Sequence, residues 1–242
     1  MSLNMFPVYR ISEGNENLEN NYETFESCRK LFKENCIVLI FSEGRCINEW
    51  KLRPLKKGTA RLALSSWQEG IPLEIVPLGI NYQSFTSFGK NVELNFGNII
   101  TEKDINAEDA FGKKVNDFNE KLRYSLQSLV FTAEKHDRDA IEKKFHVLQS
   151  SAKKVLLSIP AFTGYLLHAP LYLPIRRLSV KRALHNDHYD SVMVGLLFLL
   201  YPIYLLLASL LVYYLLGSYW WLLCFILLPF TAWSFVQVKK QF

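Results

Sequence analysis

The chain has 242 residues, half of them apolar, with 28 Lys and Arg against 23 Asp and Glu for a formal charge of +5. That is room for one medium domain plus an appendage, and the excess of positive charge is too modest to imply a nucleic-acid partner. Between Ser191 and Val238 there is no Asp, Glu, Lys or Arg, which predicts a charged domain followed by a membrane segment.

Met1 leads directly into Phe6-Pro7-Val8-Tyr9-Arg10, with no basic run and no long apolar core, so no secretory leader is expected. Met5 to Ile11 reads as a short strand. From Leu18 the apolar positions Leu18, Tyr22, Phe25, Cys28, Leu31 and Phe32 recur at helical spacing, with acid early and base late, as the helix dipole prefers. This predicts an amphipathic helix whose stripe is core. Ile37-Val38-Leu39-Ile40-Phe41 has the length and β-branched content of a buried strand. It runs into Ser42-Glu43-Gly44-Arg45-Cys46, after which Pro54 and Gly58 break the chain and a helix opens near Thr59. Strand, polar turn, helix is where α/β folds place ligands, beyond the carboxyl ends of the strands.

Leu73 to Tyr82 is a second apolar strand, and Pro77 in its middle predicts an edge position or a bulge. Asn91 to Ile100 alternates Val92, Leu94 and Phe96 with polar neighbours, the pattern of a half-exposed strand. Phe111, Val115, Phe118, Leu122, Leu126 and Leu129 mark a long amphipathic helix that runs on, or restarts near His136, towards Lys154. Alternating strands and helices make this an α/β domain.

Val155 to Ile175 is apolar but carries Pro160, Gly164, Pro170 and Pro174, so an interfacial or re-entrant segment is expected in preference to a straight spanning helix. Packing against the soluble domain is the other reading. Val192–Leu216 and Tyr219–Val238 each reach the ~20 residues that cross a bilayer. Only Gly217 and Ser218 separate them, which predicts a tight hairpin with Tyr213, Tyr214, Tyr219, Trp220 and Trp221 at its tip. Arg176, Arg177, Lys181, Arg182, Lys239 and Lys240 flank the open ends. By the positive-inside rule those ends, and the α/β domain, face the cytoplasm. The expected division is 1–152 α/β domain, 153–190 interfacial or re-entrant segment, and 191–242 transmembrane hairpin.

Cys28, Cys36, Cys46 and Cys224 have neither CxxC spacing nor histidines at metal-ligand intervals, so reduced thiols are expected and no metal site. Arg45, Lys51, Arg53, Lys56, Lys57 and Arg61 gather six cations in one loop and helix start. With the amides of a helix N-terminus, such a cluster is suited to hold a phosphate. A solvated or lipid-facing surface is the alternative.

At these residues the chain resembles the glycerolipid acyltransferases of the lysophosphatidic acid acyltransferase type. Asn4 to Arg10 (NMFPVYR) is similar to that family's second block, GxxFIxR, whose arginine holds the acceptor's phosphate. Phe41 to Cys46 (FSEGRC) is similar to the third, FPEGTR, and LRPLKKGTARLA to the lysine-glycine helix start that follows it. Val76 to Ile80 (VPLGI) is similar to the fourth, VPVxI. Asn4, Pro7, Ser42, Arg45 and Cys46 depart from the pattern, while Phe41, Glu43 and Gly44 match directly.

The resemblance implies an α/β fold, a mixed sheet flanked by helices, glycerol-phosphate acyltransferase-like and N-terminally incomplete, with the C-terminal transmembrane helical hairpin added. It implies transfer of a fatty acyl group from acyl-CoA or acyl-ACP to a lysophospholipid hydroxyl, in phospholipid biosynthesis, at the cytoplasmic face of the inner or plasma membrane. Membrane lipids would be partners and no cofactor is implied. The residues it implies for acceptor and phosphate contact are Arg10, Glu43, Gly44, Arg45 and Lys57. The family's first block, HxxxxD, supplies the general base and precedes the second block. Only three residues precede Asn4 here, so no catalytic residue is assigned, an upstream portion is expected to be missing, and the chain as given is expected to be inactive. A literal HxxxxD at His185 to Asp190 follows the other blocks and adjoins the first span, so it reads as a polar helix entry. A non-catalytic, membrane-anchored lipid-binding or scaffold protein on the same fold is the alternative.

Overall fold

The computed structural model describes residues 5–8, 20–106, 108–134, 137–147, 150–183, 188–217 and 219–239. The elements are α1 (Asn20–Lys33), α2 (Gly58–Gln68), β1 (Leu78–Tyr82), β2 (Val92–Phe96), α3 (Phe111–Leu129), α4 (Arg138–Phe145), α5 (Ser151–Ala183), α6 (Tyr189–Leu216) and α7 (Cys224–Lys239). They divide into two compact units. One comprises Met1–Cys46, Lys51–Ile80 and Leu94–Thr132, and the other Ile47–Trp50, Asn81–Glu93 and Ala133–Phe242.

The core of the first unit is built where α2 meets α3. Ala60, Ala63, Leu64 and Trp67 lie on one side of α2, and Val115, Phe118, Leu122 and Leu126 recur at helical spacing on α3. Trp67 packs edge-on to Phe118 at 6.0 Å and donates its indole N–H to the Leu73 carbonyl at 2.9 Å. Phe118 is fully buried, worth about 1.5–3 kcal/mol relative to exposure. Arg29 and Lys33 of α1 both pair with Glu69, just past the end of α2, at 2.6 and 3.0 Å. The apolar stripe expected of α1 is only partly core. Cys28 is buried, Phe25, Leu31 and Phe32 are half-buried, and Tyr22 is 77 % exposed.

The expected mixed sheet is reduced, among the described residues, to one two-stranded sheet of β1 and β2. An isolated bridge extends the pairing to Ile75 and Ile100. Gly97 N–H donates to the Pro77 carbonyl, and the register slips by one residue before Ile75 pairs with Ile100. This is a bulge at the proline, as Pro77 predicted. On β2 the alternation is present but Val92, Leu94 and Phe96 face outward. Glu93 and Asn95 take the half-buried side, where Asn95 Nδ2 donates to the Leu129 carbonyl at the end of α3.

Ile37 to Phe41 is the clearest departure. It belongs to no strand, and Ile37, Leu39 and Phe41 are 95, 63 and 69 % exposed. The apolar run has the composition of a buried strand, but burial needs a covering layer and a pairing edge. Neither is supplied by the described residues. Residues 5–8 likewise form no strand. They are tied to α1 by a hydrogen bond from Thr24 Oγ1 to the Pro7 carbonyl.

In the second unit, α5, α6 and α7 pack on one another. Each is long and apolar enough to cross a membrane. The prolines do not break α5, which runs through Pro160, Pro170 and Pro174 as one helix of 33 residues. Neighbouring helices make such prolines tolerable by excluding water and re-satisfying freed carbonyls. Tyr204, for instance, donates its hydroxyl from α6 to the Leu167 carbonyl. Gly164 lets α7 approach, since a Cβ there would meet the Thr231 carbonyl oxygen at 2.2 Å. His168 Nδ1 lies 2.8 Å from the Gly164 carbonyl, which can only accept, so in the neutral ring Nε2 faces the Tyr201 hydroxyl at 3.3 Å as acceptor. α6 ends at Gly217 in the left-handed region, its N–H bonded to the Tyr213 carbonyl. A short 3₁₀ turn, Tyr219–Leu223, then leads into α7. The expected hairpin is present.

Candidate functional site

The loop between Phe41 and α2 doubles back on itself. Gly44 N–H donates to the Phe41 carbonyl, closing a turn over Ser42 and Glu43. That turn lies against the far limb of the loop: Lys56 N–H donates to the Ser42 carbonyl at 2.7 Å, and Arg53 N–H donates to Glu43 Oε1 at 2.9 Å. Ser42 Oγ and Thr59 Oγ1, in the first turn of α2, are 2.9 Å apart. Glu43 is half-buried and organises the loop through its own backbone, as a carboxylate accepting an amide does.

Gly44 sits at φ +67°, and a Cβ there would meet Lys56 Cγ at 3.0 Å. Both facts require glycine at the crossing of the two limbs. The crossing sets Gly44 against Lys56, and the next residue on each limb is a cation, Arg45 and Lys57. Both side chains are exposed. Lys57 is the N-cap of α2 and makes no side-chain cap, so the first amides of this helix have no side-chain acceptor at that position. Among the described residues, Arg45, Lys51, Lys56, Lys57 and Arg61 have no carboxylate partner. Unpaired cations beside an uncapped helix start form a positive field able to hold an oxyanion.

Of the residues the sequence singled out, Glu43, Gly44, Arg45 and Lys57 are therefore in one folded loop. Arg10 lies outside the described residues, as do His136 and His185. Asp190, the last residue of the literal HxxxxD, is ion-paired with Lys90 at 2.6 Å. Sequence reading missed the Ser42–Thr59 hydroxyl contact and the amide of Arg53 on Glu43. No local signal marks either, since both depend on the chain crossing itself. Cys28 is a core residue, and burial pushes its thiol up, away from nucleophilic character. Among the described residues no group of three or more His, Cys, Asp or Glu is placed to hold a metal.

Residues 1–81 match the family model described as Acyltransferase. No curated protein and no solved structure matches the chain. Over that third of its length, which includes the whole Phe41–Lys57 loop, the chain is similar to the glycerolipid acyltransferases, and general acyl transfer in lipid biosynthesis is the activity this similarity supports.

Proposed function

We propose that the protein works in phospholipid biosynthesis, binding a 1-acyl-glycerol-3-phosphate-like lysophospholipid whose free hydroxyl receives a fatty acyl group from acyl-CoA or acyl-ACP. The observation that carries this reading is the loop crossing at Gly44, which sets Arg45 and Lys57 on adjoining limbs above an uncapped helix start. In this reading Arg45 and Lys57, with Arg10, hold the acceptor's phosphate, and Glu43 fixes the loop. The acyl chain lies against lipid.

Attack by the acceptor hydroxyl on a thioester needs a base. All five histidines lie at position 136 or beyond in the sequence, and none stands in an HxxxxD ahead of Arg10. This chain is accordingly proposed to supply the acceptor-binding part of the site and to show no turnover by itself. A second reading is a membrane-anchored lipid-binding or scaffold protein, in which the loop at Gly44 holds a phosphate and transfers nothing.

The reading is supported on the membrane side by the basic residues Arg176, Arg177, Lys181 and Arg182 near the open ends of α6 and α7, which favour a cytoplasmic location for those ends.

The test is calorimetric titration of the full chain in detergent micelles with lysophosphatidic acid. We expect binding, and affinity about tenfold lower in Lys57→Gln, as loss of a charge-assisted phosphate contact implies. Monoacylglycerol, which lacks the phosphate, should bind more weakly than either. Equal affinity for the two lipids would remove the proposed site. Addition of acyl-CoA should give no turnover; turnover that is lost in His185→Ala would overturn both readings and reassign the base to that histidine.

A further inference from the structure

In the first unit an apolar strip is held in the open. Ile37, Leu39, Ile40 and Phe41 are 95, 63, 39 and 69 % exposed. A contiguous apolar patch of this kind on a folded unit marks a surface that a partner or another phase covers.

The strip is fixed at both ends. It starts at the end of α1, where Asn35 takes φ +57°. There Cys36 N–H donates to the Leu31 carbonyl at 2.9 Å and Asn35 N–H to the Phe32 carbonyl at 3.1 Å, the paired bonds of a Schellman stop. α1 is in turn tied to the end of α2 through Arg29, Lys33 and Glu69. The strip finishes at Ser42, whose carbonyl accepts from the Lys56 amide at 2.7 Å and whose hydroxyl lies 2.9 Å from Thr59 Oγ1. Its exposure belongs to the fold and not to a loose end.

The finish is basic. Lys51, Lys56 and Arg61 are exposed, and among the described residues none of them has a carboxylate partner. A Cβ on Gly44 would meet Lys56 Cγ at 3.0 Å, so the stem of that lysine lies beside the end of the strip. The neighbouring acid, Glu43, accepts the Arg53 amide. At the start of the strip Glu69 is taken by Arg29 and Lys33, and Glu34 is exposed. Apolar side chains ending in uncompensated cations match an anionic bilayer surface, where acyl chains and phosphates lie within one layer. A polypeptide pairing along the strip would cover the apolar part and leave the cations unanswered. The same chain carries three helices long and apolar enough to cross a membrane, which keeps a bilayer at hand.

We propose that residues 37–41, with Lys51, Lys56 and Arg61, form a docking strip that inserts shallowly into the headgroup layer of an anionic bilayer. The backbone limits the depth. Among the described residues the amides of Val38, Leu39 and Ile40 donate to no backbone carbonyl, and unpaired amides do not enter hydrocarbon. The apolar side chains reach the acyl boundary while the backbone stays with water and headgroups.

The full chain, with Cys36, Cys46 and Cys224 replaced by serine, is labelled with nitrobenzoxadiazole at Leu39→Cys. It is placed in nanodiscs of phosphatidylcholine and phosphatidylglycerol, whose two faces are both open to solutes. The control carries the label at Tyr124→Cys on α3, a position 79 % exposed. At position 39 the emission should shift to the blue and resist iodide. A lipid bearing a nitroxide near its ester should quench it about threefold more than the control. In discs of phosphatidylcholine alone, or with Lys51→Gln and Arg61→Gln together, that quenching should fall about twofold. Both substituted cations are exposed, so packing is undisturbed. Equal iodide quenching at the two positions would overturn the strip. A label shielded from iodide yet untouched by the lipid nitroxide would mean that protein covers the strip, and would overturn it equally. Nitroxide quenching indifferent to lipid charge and to both substitutions would overturn the assignment to an anionic surface. None of these outcomes bears on lysophosphatidic acid binding, which is measured in micelles without a bilayer.

Discussion

Gly44 is the residue on which the loop geometry turns. Its φ of +67° lies in the left-handed region, where a side chain costs about 1–2 kcal/mol, and Lys56 leaves a Cβ no ordinary contact distance. Gly44→Ala should therefore destabilise the first unit by roughly that amount. It should also weaken lysophosphatidic acid binding, because the limb carrying Arg45 is displaced from the limb carrying Lys57. Thermal melting and calorimetry of the same variant check both effects. Gly70 also has positive φ, but no atom stands within 4 Å of its missing Cβ. Gly70→Ala should show the conformational cost without the loss of binding.

At the scale of elements, α5 shows that prolines are read by their surroundings. In an isolated helix three internal prolines would each remove a hydrogen bond and clash with the preceding turn. Between α6 and α7 the same residues are held in one continuous helix, and close approach at Gly164 is what keeps α7 near. Gly164→Val drives a side chain into the Thr231 carbonyl and should lower stability in mixed micelles by about 1–3 kcal/mol. Denaturation with increasing sodium dodecyl sulfate measures this. Gly195→Ala on α6, with open space at its Cβ, is expected to be neutral. The His168–Tyr201 contact should survive in the second variant and not in the first, since Gly164 supplies the carbonyl that orients the imidazole.

For the whole molecule, parity decides how many of the three long helices cross the bilayer. If only α6 and α7 cross, the part of the chain before α5 lies opposite the hairpin tip. If α5 crosses too, they lie together. The loop Phe88–Lys90 reaches Asp190 and Lys239 at the open ends, which favours two crossings, whereas the middle of α5 packs on the middle of α6 at His168–Tyr201 and of α7 at Gly164–Thr231, which favours three. In sealed, right-side-out vesicles, with Cys36, Cys46 and Cys224 replaced by serine, two crossings require an impermeant maleimide to label Tyr214→Cys and spare Lys103→Cys. Labelling of both from the same side would mean that α5 spans.

Much of this protein is written in its residues at short range. The spacing of Val115, Phe118, Leu122 and Leu126 predicts α3, though not where it ends, the uncharged stretch after Ser191 predicts the hairpin, and Gly217 marks its turn. The cations around Glu43 were visible too, because composition and spacing record local periodicity and charge. Tertiary structure decided what those signals leave out. Ile37 to Phe41 has the composition of a buried strand and is exposed, because burial belongs to the layers around a segment. Val92, Leu94 and Phe96 alternate as expected but turn outward, because the other side of β2 meets the end of α3 at Leu129 and α4 at Lys144. The pair of Lys90 with Asp190 and the bond from Lys239 to the Phe88 carbonyl join residues 100 and 151 positions apart. No periodicity encodes such meetings, which depend on one loop reaching both the start of α6 and the end of α7.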